Sequence, residues 1–249
     1  MTYQGNISLI DCDNCPLRKF DIFLPFKKDE LSFMKAFKTG EMVADSGTQL
    51  FMEGARAAQL YTVLSGMGVR YKTLEDGRRQ VIGFVMPGDF VGLQAGIMEE
   101  MYHSVEASTQ MRLCVFNRKR VYELFQNQPE RAYALTHIAA VEEHFLGDAL
   151  TTVGQRGALE KIAWSLHRFF CRARGLKLVK NNSCPLPYRQ QDLADALGLS
   201  LVHTNKTLAK LKADRIVTWS NGVLTVIDED ALKALSGIDA SDAAPRPLI

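Results

Sequence analysis

From residue 23 to 127 the apolar residues come in short runs broken by turn signals. Leu60–Leu64 precedes Ser65 and Gly66, Val69–Thr73 precedes Glu75, Asp76 and Gly77, and Gln80–Val85 precedes Pro87, Gly88 and Asp89. Runs of this length between glycine-containing turns predict the strands of an antiparallel barrel or sandwich. After Gln128 the period changes. Leu135, Ile138, Val141, Phe145, Ala149 and Thr152 recur at steps of three and four, and Leu146, Leu150 and Val153 form a second stripe beside them. The pattern predicts one continuous helix over 128–155. At 1.5 Å per residue, a helix of about 25 residues is about 37 Å long, more than a small domain needs to cover its own core. The first stripe, with Glu142 alongside, is therefore the candidate dimer interface.

A second amphipathic helix is expected from Ala158 to Arg174, burying Ile162, Ala163, Leu166 and one of Phe169 or Phe170. The last unit begins at Leu186. Leu193, Ala194 and Leu197 make one short apolar face, and Gly198 supplies a turn where positive φ is easiest. Ser200 is placed to cap a further helix that turns Val202 or Thr204, Leu208 and Leu211 inward. Two short helices across a tight glycine turn are the arrangement that lays its second helix in the DNA major groove. The candidate DNA contacts are Arg189, Gln190, Gln191, Ser200, Val202, His203, Asn205, Lys206 and Lys210. Directly afterwards, Asn221 and Gly222 sit between the β-branched runs of 216–226, the strongest short-range hairpin signal. A helix-turn-helix followed by a hairpin is a winged helix. The same helix–glycine–helix pattern also occurs in all-α proteins that never meet DNA, and the hairpin tips the balance.

Composition narrows the class. At 47% hydrophobic and 23% charged residues the chain reads as an ordinary globular protein, and 249 residues are enough for two domains or for one large one. A formal net charge of only +2 means that any DNA-binding surface has to be local. No apolar run approaches the ~18–20 residues of a membrane span, and no basic-then-apolar leader is visible, so a cytoplasmic protein is expected. Five cysteines at irregular spacing argue for reduced thiols or metal ligation rather than a disulfide framework. The five histidines contain no metal-ligand pair on one helix turn. No motif marks an enzyme: Cys12 and Cys15 lie in a polar arm over 1–22, not at the helix N-terminus that thiol oxidoreductases use.

The order of parts, together with Leu50–Gly54, Leu60-Tyr61, Ser65-Gly66, Gln80–Phe84, Gly88–Gly92, Cys12 and Cys15, and Asp192–Leu199, resembles the CRP/FNR family of bacterial regulators over nearly the whole chain. The likeness is closest to its FNR-like branch. It implies an α+β protein in which a double-stranded β-helix, the β-roll of cyclic-nucleotide-binding-like domains, fills 23–127. A dimerisation helix over 128–155 and a winged helix over 156–235 follow, with 236–249 expected as a mobile tail. It also implies a homodimer on a palindromic site in double-stranded DNA, contact with RNA polymerase and no membrane association.

Departures from the family pattern sharpen the expectation. The cyclic-AMP branch places a Glu after the roll's glycine and an Arg-Ser pair soon after. Here Leu93 and Gln94 follow Gly92, and Met101–Val105 holds no arginine, so cyclic AMP is not expected to bind. The FNR pattern puts Glu, Ser and Arg on the groove side of the reading helix, where this chain has Val202, Asn205 and Lys206, so its site should differ in sequence. For a 4Fe-4S cluster of the FNR kind the resemblance offers Cys12, Cys15 and Cys114, but the remaining ligand falls at Asp21, a harder donor than thiolate. An oxygen-, redox- or nitrosative-sensitive cluster is one reading. The other is a cluster-free regulator controlled by thiol oxidation, an unidentified ligand or abundance, with Cys114 buried in the roll, Cys171 in the core and Cys184 incidental in a loop.

Overall fold

The computed structural model describes residues 9–237 and 245–249. The chain divides into two compact units, the first comprising 9–70, 84–139 and 246–249 and the second 71–83, 140–237 and Pro245. Each is built by different means.

In the first unit, the arm makes two 3-10 turns, Cys12–Asn14 and Pro16–Lys19, and leads into helix α1 (Lys28–Phe37). Glu30, in the first turn of α1, accepts from the backbone N–H of Lys27 at 2.6 Å. Strands β1 (Lys38–Ala44), β2 (Gln49–Phe51), β3 (Gln59–Ser65), β4 (Gly68–Thr73), β5 (Arg79–Val85) and β6 (Phe90–Val91) follow. After the short helix α2 (Leu93–Met98) come β7 (Ser104–Ala107) and β8 (Met111–Asn117), then helix α3 (Val121–Asn127). The strands form two four-stranded sheets of order β1-β8-β3-β6 and β2-β7-β4-β5. Because both faces of β3 are covered, its run Leu60–Leu64 is apolar but for one threonine and buried throughout, without the alternation of a half-exposed strand. β8 lies between β1 and β3, pairing Cys114 with Glu41 on one side and with Thr62 on the other.

Helix α4 spans Pro129–Gln155, as the three- and four-residue period predicts. The segment expected as a mobile tail is different in kind. Residues 238–244 lie outside the described residues, but Pro247, Leu248 and Ile249 are buried in the first unit and Arg246 is paired there with Asp89. A short segment is held when its ends carry apolar side chains and satisfied backbone groups, and composition alone does not show this.

In the second unit, α5 (Ala158–Gly175) buries Ile162, Ala163, Leu166 and both Phe169 and Phe170. Beyond it come β9 (Ser183–Pro185), α6 (Gln190–Leu197), α7 (Leu201–Ala213), β10 (Val217–Ser220), β11 (Val223–Val226) and α8 (Glu229–Ser236). β10 and β11 are joined by Asn221 and Gly222 alone, both at positive φ (51° and 71°), which is the twist a two-residue hairpin needs. β9 adds a third strand, order β10-β11-β9, where sequence suggested only a polar loop. Cys184 is therefore no incidental loop residue: it pairs with Leu224 and is buried. Residues 71–83, from the end of β4 into β5, also belong to this second unit. Arg79 reaches the Asp192 carboxylate at 3.4 Å, and the Gln80 side chain donates to the carbonyl of Ala196 at 3.2 Å.

Candidate nucleic-acid interface

The reading element starts at Asp192. Its carboxylate accepts from the backbone N–H of Arg189 at 2.9 Å, capping α6, and also takes the Arg189 guanidinium at 2.6 Å. Gly198 ends α6 at φ +63°. The Ser200 hydroxyl oxygen accepts from the backbone N–H of His203 at 3.2 Å and caps α7. Leu193, Ala194 and Leu197 face inward from α6, and Thr204, Thr207 and Leu211 from α7. Of the two candidates for the inward position, Thr204 is the buried one, and Val202 is 79% exposed.

That rotation decides what α7 offers. Val202, His203, Asn205, Lys206, Ala209 and Lys210 share its exposed side. Lys210 also pairs with Asp214, one turn on, at 2.9 Å. Arg189 and Gln191 are exposed and Gln190 half-buried at the start of α6, with the Gln191 amide donating to Asp195. A helix with an amide, an ammonium and a bare aliphatic side chain on one face has the groups that read adenine, guanine or phosphate, and the thymine methyl. The wing is braced from behind, where the Trp219 indole N–H donates to the carbonyl of Leu186 at 3.2 Å.

Of the seven residues expected at a dimer seam on α4, only Val141 is exposed. Leu135 (2% exposed) and Thr152 (0%) are consumed within their own chain. Phe145 stacks on Trp164 of α5 at 6.1 Å, with the Arg168 guanidinium over its ring, and Ile138, Glu142 and Ala149 are half-buried. The apolar stripe is mainly the one that packs α4 against its own units. The exposed side carries Ala140, Val141, His144, Gly147, Leu150 and Gly154, with Leu150 at 75% exposure.

The cysteine arm is fastened to the roll through a buried carboxylate. Glu41 takes the Lys38 ammonium at 2.5 Å, the Arg112 Nε at 2.6 Å and the backbone N–H of Ile10 at 2.7 Å, and Lys38 donates in turn to the Ile10 carbonyl. Burial alone would raise the Glu41 pKa, but these donors outweigh it and hold the carboxyl below its usual range. Beside it, burial pushes the Cys114 thiol up to about 12 and raises Cys12 as well, with Lys38 opposing. Cys12 and Cys15 are half-buried, Asp21 is exposed, and among the described residues no three His, Cys, Asp or Glu side chains gather as a metal-binding group. Cys12, Cys15 and Cys114 nonetheless lie within electrostatic reach of one another around Lys38. No helix among the described residues is long and apolar enough to cross a membrane.

Comparison with known proteins matches this geometry twice over. Residues 41–128 match the cyclic nucleotide-binding domain and 160–235 the Crp-like helix-turn-helix domain. The transcriptional activatory protein AadR of Rhodopseudomonas palustris is 31% identical over 187 residues, 75% of this chain and 77% of that protein. This chain belongs to the CRP/FNR family. Within it the FNR-like branch is the nearer. The transcriptional activator FnrL of Cereibacter sphaeroides is 28% identical over 94% of this chain and 95% of its own length. Among solved structures, FixK2 from Bradyrhizobium japonicum superposes with a TM-score of 0.71 at 25% identity, covering 80% of this chain and 98% of that one. The protein is a DNA-binding transcription regulator of the CRP/FNR type, and the relatives it matches are regulators, not enzymes.

Proposed function

We infer that the chain acts as a homodimer on a palindromic promoter site, reading bases with Val202, Asn205 and Lys206 and contacting RNA polymerase from the DNA-bound state. The observation that carries this is the rotation of α7, which buries Thr204 and Thr207 and leaves those three side chains exposed. Dimer contact is assigned to the exposed face of α4 around Val141 and Leu150, not to the stripe spent on the chain's own core. The test starts from duplexes selected out of a random pool. Asn205→Ala should lose about 1–3 kcal/mol on the selected site and little on a scrambled one. Lys210→Ala should weaken both alike and flatten the salt dependence by about one unit. Equal loss on both duplexes for Asn205→Ala would remove it from base reading. Leu150→Asp should give a monomer in sedimentation and abolish binding to the palindrome.

The signal we assign is oxygen, redox or nitrosative chemistry rather than cyclic AMP, entering at the cysteine arm. Gln94, which stands in the nucleotide-binding stretch, accepts from the backbone N–H of Tyr102 at 3.1 Å, and no arginine follows in 101–105. Calorimetric titration with cyclic AMP should give no heat; micromolar affinity would overturn the assignment. The cluster-free form is favoured by the donor set itself, in which the fourth position is Asp21, a harder donor than thiolate. Anaerobically purified protein should then be colourless, whereas a ~400 nm band lost in Cys114→Ser would establish a cluster.

A further inference from the structure

Arg246–Ile249 is gripped by the first unit in the way a bound peptide is gripped. Its backbone pairs in parallel with Phe23: the Arg246 N–H donates to the Ile22 carbonyl at 2.8 Å and the Arg246 carbonyl accepts from the Leu24 N–H at 2.9 Å. This is strand addition on the smallest scale, which supplies affinity through the main chain and leaves specificity to side-chain pockets. Two such pockets are present. In the first, the Arg246 guanidinium meets the buried Asp89 carboxylate at 2.9 Å and the Pro87 carbonyl at 3.2 Å, and lies 5.2 Å over the Phe23 ring. The roll holds Asp89 ready by donating the Met86 N–H to its other oxygen at 2.9 Å. Gly88 forms the floor: a Cβ there would stand 2.1 Å from the Phe23 ring and 3.2 Å from the guanidinium.

In the second pocket Leu248 and Ile249 are buried. Their backbone oxygens accept from two groups the unit already positions. Thr62 donates to Ile249, and Arg131, itself paired with Glu30 at 3.0 Å, donates to Leu248 at 3.3 Å. Every recognising group lies on the roll or on the helices flanking it.

We propose that the sensory unit carries a peptide socket for an arginine followed by proline and two aliphatic residues, filled in cis by Arg246–Ile249. The ligand class is a short extended peptide whose one cation enters the Asp89 pocket. The probe is a fluorescent peptide of residues 243–249, titrated against two full-length chains. In the chain carrying Arg246→Glu and Leu248→Glu the internal segment is repelled, and the probe should bind saturably. To the unaltered chain, whose socket is filled, it should bind at least tenfold more weakly. A probe with Arg246→Glu should bind neither. No saturable binding to a variant that keeps its circular dichroism, or equal binding of both probes, would overturn the proposal. A second measurement is independent of the probe. Asp89→Arg and Arg246→Asp should each lower Tm, and the double exchange should recover at least half of the loss. Strictly additive losses would equally sink the idea.

Discussion

The two units of this regulator are held in different ways. The first is tied by buried ion pairs that join distant parts of the chain: Glu41 to Arg112, Glu30 to Arg131, Asp89 to Arg246. The second has distant pairs too, Arg79 to Asp192 and Arg174 to Glu229, but shapes its DNA-reading element mainly with local devices. Ser200 caps its own helix, Asp192 takes Arg189 three residues back, Asp228 caps α8, and Gly198 and Gly222 shape the turns. The difference teaches where perturbation should travel. A buried pair loses heavily when one partner is removed, because the other is left charged and desolvated. A cap lost at an exposed helix end is replaced by water at modest cost.

The largest test of that contrast is Glu41→Ala, which strands Lys38, Arg112 and the Ile10 amide together. It should cost the first unit about 3–5 kcal/mol in chemical denaturation. A loss under 1 kcal/mol would mean that this network is no more than a solvated surface pair, and the comparison would fail. Next, Gly198→Ala should cost about 1–2 kcal/mol through its positive φ alone, since the added methyl meets Val153 at an ordinary 3.5 Å. A larger loss would show that the turn is crowded as well as strained. Ser200→Ala should cost about 1 kcal/mol in thermal unfolding while leaving the DNA preference intact.

The smallest effect is a pH dependence of the second unit. His167 is buried, and its Nδ1 lies 3.0 Å from the Ser236 hydroxyl. Burial lowers its pKa, with Glu229 opposing and Lys233 and Arg174 adding to the lowering. Its folded pKa is thus below its unfolded one, so the unfolded state takes up the proton first. Stability should be complete above about pH 6.5 and fall as pH drops below it. His167→Gln should flatten that acid limb in melts recorded from pH 5 to 8. An unchanged slope would place the acid sensitivity elsewhere.

Much of the second unit was legible because its signals are short-range. A helix period, a capping serine and an Asn-Gly turn act within a few residues, and α7 and the β10–β11 hairpin lie where those signals put them. The candidate DNA side chains, Val202 among them, could be named from the same signals, although periodicity left Val202 level with Thr204 for the inward position. The stripe expected at a dimer contact is partly used within the chain, since an apolar stripe marks which side is buried without saying by what. On α4, Leu135 and Thr152 are buried within the chain itself.

The sequence by itself determined the order of parts: a roll of short strands, one long helix, a capped pair of helices and a wing. Each follows from interactions among neighbours along the chain. Only the tertiary structure decided that Glu41 would anchor the arm at Ile10, that Cys184 would lie in a strand, and that Arg246 would reach Asp89, 157 residues away. Those outcomes turn on which charges and backbone groups leave water together, and a linear pattern carries no record of such pairings across a fold.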